Sequence, residues 1–350
     1  MDVIYNGQAS GSVAGCLMQH GFDPRGLRPY VDEFGSACVD VTNRQGEDDV
    51  HELSTNANAT LLKDEWKQLD EAVVSAGRER LNLVADLRGS GLVYNVPNGM
   101  GKTVLETQTA SETEEAKISM DGIAKSPSDR QEFGLNSLPL PIIHFDFHMS
   151  LRQVQAGRNS GAPLDTSMAE QAGRRVAEQA ERLATGAYGT FAFGGGTVYG
   201  LRNFPSRNTG SITTIDGSWT PDDALNDVLA MRAASIADNH YGPWRLYCGP
   251  TWDSHLEKDY TLNYGGKTLR QRLLEVEGIQ SVTVLDYLTT TDLVLVQQTS
   301  DVVREVIGMD LTTVQWETQG GMMQHMKVLA IMVPQPRADY NANCGIVHYS

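Results

Sequence analysis

The chain has 350 residues, enough for one large domain or for two or three smaller ones with a sizeable core. Its composition is that of an ordinary globular protein, and its longest apolar run, Val328 to Val333, is far too short to span a membrane. The formal net charge of -16 argues against a surface that binds nucleic acid throughout, because such binding needs Lys and Arg to neutralise phosphates.

The N-terminal region predicts an extended arm followed by a helix. Residues 1–57 are rich in Gly, Asn, Asp and Ser, show no steady apolar period, and do not begin with the basic and apolar regions of a secretory signal. Over residues 58–85, Leu62, Trp66 and Leu69 recur at spacings of four and three residues. This spacing places them on one helical face and predicts a single long helix.

Residues 86–149 predict a long, mostly polar hairpin. Leu92–Pro97 is strand-like and is followed by an Asn-Gly turn signal. Residues 103–125 are too polar to build a core of their own. The segment Ile142–His148 alternates with a period of two, so we expect it to be the returning strand of the hairpin.

A second helix is predicted over Ser167–Thr185, and a glycine-rich segment, 189–205, comes after it. The helix has a narrow stripe of mostly small apolar residues, which permits close packing. The stripe consists of Ala169, Ala172, Val176, Ala180, Leu183 and Ala187.

From about Ile212 onward the pattern predicts a mixed α/β segment. Thr220 and Pro221 open a helix with a cap residue, a proline at the first position and acidic residues in the first turn. Further helices are predicted after Gly249-Pro250 and over 269–276, and strands over 244–248, 281–285, 293–297, 327–333 and 345–349, with Pro334 and Pro336 separating the last two.

Two segments carry a family resemblance. Val198-Tyr199-Gly200-Leu201-Arg202-Asn203-Phe204-Pro205 and the C-terminal Val328–Pro334 stand where similar segments stand in the major capsid proteins of tailed phages. The order of elements also resembles that family, whose Hong Kong 97-like fold is shared by the encapsulins, the shells of bacterial compartments. The resemblance implies an α+β fold with an arm, an extended loop, a peripheral domain with a long spine helix, and an axial domain.

The resemblance also implies domain boundaries. Residues 1–57 are expected to be the N-terminal arm, 58–85 a helix leading into the extended loop, 86–149 the extended loop, 150–214 the peripheral domain with the spine helix, 215–321 the axial domain and 322–350 the closing strands of the peripheral domain.

The function implied is assembly, without enzymatic activity, a metal or a cofactor. The chain would form hexamers and pentamers in the icosahedral head shell of a tailed bacteriophage, made in the host bacterial cytoplasm, and would contact portal, scaffold or decoration proteins. Packaged DNA would be contacted only non-specifically, and no membrane is expected. The alternative is an encapsulin-like shell that binds cargo enzymes, although the 57-residue arm favours a virus.

A third reading is a metal-dependent enzyme. On a strand, His144, Asp146 and His148 share one face, and two imidazoles with a carboxylate can bind a divalent metal. The competing explanation is the polar face of a strand whose Phe145 and Phe147 pack inward. The second explanation is favoured because no further cluster of ligands is identifiable.

Two glycine-rich segments do not predict nucleotide sites. In Gly99–Thr103, a phosphate-binding loop would need a further glycine five residues before Gly101, and Val96 stands there. Gly194–Gly196 follows a helix, whereas a dinucleotide-binding loop follows a strand.

Two kinds of covalent link are also considered. Some family members cross-link a loop lysine to a C-terminal asparagine; position alone makes Lys102, Lys117, Lys125, Asn341 and Asn343 weak candidates. The four cysteines, Cys16, Cys38, Cys248 and Cys344, lack metal-site spacing and are expected to be free thiols. The alternative is that Cys16 and Cys38, in the region expected to be the arm, form disulfides between subunits.

Overall fold

The computed structural model describes residues 30–31, 37–42, 48–52, 61–111, 118, 120, 133–160, 166–216, 219–259, 266–319 and 322–350. Its helices are α1 (Lys63–Arg78), α2 (Leu83–Gly89), α3 (Leu151–Ser160), α4 (Ser167–Thr185), α5 (Pro221–Ala237), α6 (Trp252–Leu256) and α7 (Leu269–Leu274), with a 3₁₀ turn at Gly99–Gly101. Its strands are β1 (Tyr30–Val31), β2 (Ala37–Thr42), β3 (Asp48–Glu52), β4 (Val93–Asn95), β5 (Val104–Ala110), β6 (Phe133–Pro139), β7 (Ile143–Ser150), β8 (Phe191–Phe193), β9 (Gly196–Val198), β10 (Asn208–Gly210), β11 (Trp244–Cys248), β12 (Ile279–Val284), β13 (Leu293–Gln297), β14 (Val303–Thr318), β15 (Met323–Pro336) and β16 (Ile346–Tyr349).

The chain divides into two compact units, and each is interleaved along the sequence. The first unit comprises Met1–Thr103, Leu140–Ala184 and Glu305–Pro334; the second comprises Val104–Pro139, Thr185–Arg304 and Gln335–Ser350. None of the described helices is both long and apolar enough to cross a membrane.

The first unit is built on a four-stranded sheet with the order β4-β14-β15-β7. Helices α1 and α4 cross with their backbones in contact, since a Cβ added to Gly173 would lie 2.6 Å from the carbonyl oxygen of Val73. The predicted stripe on α4 is buried from Ala169 to Leu183, whereas Ala187 is exposed beyond the end of the helix. The predicted bounds of α4 are confirmed.

The single helix expected over residues 58–85 is wrong: the structure has α1 and α2 with a break between Arg78 and Leu83. The buried carboxylate of Glu181 on α4 fixes the start of α2, because it accepts hydrogen bonds from the backbone N–H groups of Leu83 at 2.6 Å and Val84 at 3.3 Å. A capping group that comes from about one hundred residues away leaves no signal in the local sequence.

The expected returning strand of the hairpin is also wrong. The partner of β5 is β6, with Val104 opposite Pro139 and Ala110 opposite Phe133. The segment predicted to return, now β7, pairs with β15 in the sheet of the first unit. Both segments alternate along the chain, so periodicity could not tell one partner from the other.

The second unit contains a mixed five-stranded sheet with the order β10-β16-β13-β11-β12. Helices α5, α6 and α7 pack on it over an apolar core that includes Met231, Trp244, Leu246, Trp252 and Leu269. Helix α5 begins as predicted, at Pro221, and its N-terminus is closed by Asp223, which accepts a hydrogen bond from the N–H of Thr220 at 2.7 Å.

Three further differences concern strands. Strands β1–β3 form an antiparallel sheet within the region expected to be an extended arm, and β14 was not predicted at all. Strand β15 continues through Pro334 to Pro336, where the prolines were expected to end it. A proline can stand in a strand where its missing N–H is not needed for pairing, so it does not always mark the end.

Candidate functional site

The hairpin formed by β5 and β6 has a covered base. Within the second unit, Gly196 of β9 lies so close to the carbonyl of Ser137 on β6 that a Cβ would overlap it. Gly194, in the turn before β9, similarly contacts the side chain of Val104 on β5. The short hairpin β8–β9 therefore packs directly on the base of the longer hairpin.

The distal part of the same hairpin exposes apolar side chains. Phe133 and Leu135 alternate along β6, so they share one face, and they are 67% and 58% exposed. Farther along the connection, Ile118 and Met120 are fully exposed. Neighbouring large apolar side chains on one exposed face, such as Phe133 and Leu135, are typical of an interaction site.

The glycine-rich segment after α4 forms a pinned turn. Gly194 and Gly195 adopt positive φ angles of 58° and 78° and join β8 to β9 as a tight hairpin turn, which most residues could not do without strain. Asn203 holds the end of the segment, because its Oδ1 accepts from the N–H of Gly200 at 2.7 Å and its Nδ2 donates to the carbonyl of Gly189 at 2.6 Å. The segment therefore has a structural explanation in its own contacts.

The same segment enters a buried polar network of the second unit. Nε of Arg202 lies 3.6 Å from Oδ2 of the buried Asp292, and Nε2 of His348 lies 3.1 Å from the same oxygen. Nε–H of Arg207 donates to Nδ1 of His348 at 3.3 Å, on the other side of the ring. The network ties the glycine-rich turn to the C-terminal strand β16.

The pKa of Asp292 follows from this network. Burial alone would raise it, but the hydrogen bond and charge of His348, with help from Thr289 and Arg202, hold the pKa below its ordinary value. Asp292 is therefore a carboxylate whose charge the folded unit stabilises.

The three residues of the metal hypothesis lie on one exposed face of β7, as the period of two predicts. Nδ1 of His144 is 3.7 Å from Oδ1 of Asp146, but the same oxygen lies 3.4 Å from Nζ of Lys327, which stands opposite on β15. No group of three His, Cys, Asp or Glu side chains in the described residues could hold a metal ion. Phe147 is buried, whereas Phe145 is partly exposed, so only one of the two phenylalanines expected to pack inward does so fully.

The other segments singled out in the sequence have local roles. Gly99 begins a 3₁₀ turn whose backbone touches that of Gly308 on β14, and Asn98, with a φ of 53°, accepts a hydrogen bond from Gly101. Close backbone contact therefore explains Gly99 without a phosphate.

The positions considered for covalent links are only partly described. Asn343 donates its side-chain amide to Asp339 at 2.9 Å, and Lys102 is exposed, while Cys16, Lys117 and Lys125 lie outside the described residues. The thiols of Cys38, Cys248 and Cys344 are buried, and burial raises the pKa of Cys248 to about 12.

The sequence reasoning did not single out Phe133, Leu135, Asp292 or His348. The alternation at 133 and 135 was available as a signal and was assigned to no strand. The partnership of Asp292 with His348 joins two distant strands, and no pattern in a single sequence reveals it.

Sequence comparisons identify a family and a curated relative. Residues 56–349 match the model of a "Family of unknown function (DUF6260)". The Type 1 encapsulin shell protein EncA of Myxococcus xanthus is 24% identical over 233 residues, which cover 65% of this chain and 71% of that protein.

Solved structures give the fold. A virus-like particle from Pyrococcus furiosus superposes with a TM-score of 0.58 at 18% identity, over 81% of this chain and 98% of that chain. The capsid of Myoviridae Phage XM1 superposes with a TM-score of 0.58 at 11% identity, over 76% of this chain and 91% of that chain. The expected Hong Kong 97-like capsid fold is thereby confirmed.

Proposed function

We propose that this chain, which belongs to the family of unknown function DUF6260, assembles with many copies of itself into a closed protein shell. In its specific form, the proposal is that the chain is the major capsid protein of a tailed bacteriophage. It would build the icosahedral head, as hexamers and pentamers, around the DNA genome. The proposed role is structural, without catalysis.

The observation that carries the proposal is the exposed apolar face of the β5–β6 hairpin. Phe133 and Leu135 stand beyond the part of the hairpin that β8–β9 covers, and Ile118 and Met120 add apolar surface farther along. Exposing such side chains in a lone subunit favours aggregation, whereas packing them on a neighbouring copy removes them from water. A symmetric assembly provides that neighbour for every subunit.

The comparisons support the same proposal as an analogy of fold. The solved neighbours bear the names of a virus-like particle and a phage capsid, and the curated relative is named as a shell protein. Because one fold can host several functions, the hairpin face of this chain remains the stronger support.

Within the proposed head, the regions expected from the sequence take definite roles. Residues 1–57 would serve as the arm. The axial domain expected over 215–321 is narrowed to end before β14, because β14 lies in the sheet of the first unit. The closing strands expected over 322–350 are narrowed to β15, which would join 150–214 in the peripheral domain, because β16 lies in the sheet of the second unit. The part that reaches over a neighbour is narrowed from 86–149 to the hairpin between Val104 and Pro139, because β7 belongs to the sheet of the first unit.

The proposed partners follow from position and charge. The chain would be synthesised in the bacterial cytoplasm and would end in the virion. Portal, scaffold or decoration proteins would be its partners in the head. A net charge of -16 suits a shell whose average surface does not hold the DNA inside it.

A second candidate is an encapsulin-like shell that encloses cargo enzymes. The observation in its favour is the similarity to EncA over 71% of that protein. The two candidates predict the same self-assembly but different contents.

Purification of native particles from the source cells tests this proposal. Shells that contain genomic DNA, with terminase and portal genes beside the coding gene, are expected for the phage head. Shells that contain a folded enzyme and no genome would establish the encapsulin-like candidate instead. Isolation of the chain solely as a small oligomer would contradict both.

A further inference from the structure

Two glutamates are buried in the first unit. Glu305 of β14 is 1% exposed, and neither of its carboxylate oxygens has a hydrogen-bond partner among the described residues. Glu181 of α4 is also 1% exposed, and it accepts the N–H groups of Leu83 and Val84 at the start of α2. Three elements, α2, α4 and β14, thus contribute to one buried acidic region.

The charges around Glu305 do not neutralise it. Nη2 of Arg88 donates to Asp310 at 2.8 Å, so the nearby cation is already engaged. Glu181 and Asp310 act on Glu305 as further negative charges, and Asp86 acts in the same way on Glu181. No group of acidic, histidine or cysteine side chains in the described part of the chain could hold a metal ion in place of a proton.

Burying an ionised carboxylate away from solvent without a partner is costly, so the group binds a proton instead. Burial raises the pKa of Glu305 to about 8, although Arg88 opposes the shift. Burial also raises the pKa of Glu181 to about 7, against the hydrogen bonds from the start of α2.

We propose that Glu305 and Glu181 form a proton-operated switch: protonation of both keeps uncompensated charge out of the core and favours the packing of α2 against α4 and β14, and loss of these protons loosens that packing. Along the chain, α2 is followed by β4 and by the turn at Asn98–Gly101 that leads into the hairpin. The switch therefore acts on the segment directly before the proposed assembly element. It is a property of the folded subunit and stands whether or not the chain forms a shell.

The direction of the effect follows from linkage. A carboxyl whose pKa is raised by folding keeps its full stabilising contribution below the unfolded value of 4.5 and loses it as pH rises toward the folded value of about 8. Within that window one such group raises the opening equilibrium about tenfold per pH unit. Above the window the effect reaches a plateau.

Hydrogen exchange on the full chain tests the proposal. The protection of the α2 amides, corrected for the intrinsic pH dependence of exchange, is expected to fall by about 20-fold between pH 6.5 and 7.5 in the natural sequence, because both glutamates lose protons in this range. Glu305→Gln keeps the shape and removes one of the two titrating groups, so it should reduce this fall to about threefold, which is the contribution of Glu181. Glu71→Gln, at an exposed position of α1, is the matched control and should behave as the natural sequence does.

Infrared difference spectroscopy gives an independent readout that a merely structural role would not move. A band from a protonated carboxylic acid is expected at pH 6, reduced at pH 9, and smaller in Glu305→Gln at pH 6. If Glu305→Gln does not fold, Glu181→Gln carries both measurements and should lose its share of the band. Protection of α2 that does not change with pH, or absence of the band at pH 6 in the natural sequence, would overturn the proposal.

Discussion

Removal of the apolar face of the hairpin should weaken assembly while leaving the subunit folded. The double substitution Phe133→Thr with Leu135→Thr keeps residues that favour strands in β6 but replaces both exposed apolar side chains. Neither side chain contributes to the core, so the cost should fall on contacts between copies.

The size of the effect can be worked from the exposures. Burial of a complete Phe or Leu side chain is worth about 1.5–3 kcal/mol. With 67% of Phe133 and 58% of Leu135 exposed, packing on a neighbour would be worth about 3 kcal/mol per subunit. A loss of that size should raise the protein concentration needed for assembly by about 100-fold.

Light scattering across a concentration series measures this threshold, and urea unfolding of the unassembled chain checks the fold. The control is Asn136→Thr, which introduces the same residue type at an exposed position on the opposite face of β6 without removing apolar surface. Equal thresholds for the apolar variant and its control would refute the assignment of the hairpin face to assembly.

Two further predictions concern stability. Gly99→Ala should cost about 1–3 kcal/mol of unfolding free energy, because the added Cβ overlaps the backbone of Gly308. Gly89→Ala is the control and should be neutral or slightly stabilising, because its added Cβ meets open space. Urea unfolding of both variants measures the difference. Asp292→Asn should lower the stability at pH 7, since it removes a buried partner of His348, by about 3 kcal/mol. Because the pKa of Asp292 is lowered on folding, its stabilising contribution is present above the unfolded value of 3.8 and is lost as pH falls through the folded value. Asp292→Asn should therefore lose less stability than the natural sequence between pH 5 and pH 2. A steeper loss of stability in acid for Asp292→Asn would contradict this prediction.

The helices that sequence alone predicted well are those with local signals. Helix α4 has a continuous stripe, and α5 has a cap, a proline and acidic residues at its start. The break between α1 and α2 escaped prediction because Glu181, far along the chain, supplies the group that starts α2. Glu181 itself shares a helical face with Ala177 and Ala184, a spacing that indicates its burial once the face is known.

The strands were harder to predict because their partners are distant. The segments at 133–139 and 143–150 both alternate, and only the pairing of the latter with β15 shows which one leaves the hairpin. In β14, Glu305, Gly308 and Asp310 interrupt the apolar residues, so the local sequence does not indicate a buried strand. The hairpin within the glycine-rich segment and the network around Asp292 depend on three-dimensional contacts, which no local pattern in the sequence reveals.

Electron microscopy of the purified recombinant chain tests self-assembly most directly. Closed shells of uniform size, each built from many copies, are the predicted result, and their formation should depend on the β5–β6 hairpin. A homogeneous monomer or small oligomer at every concentration, with the hairpin intact, would contradict the proposed function.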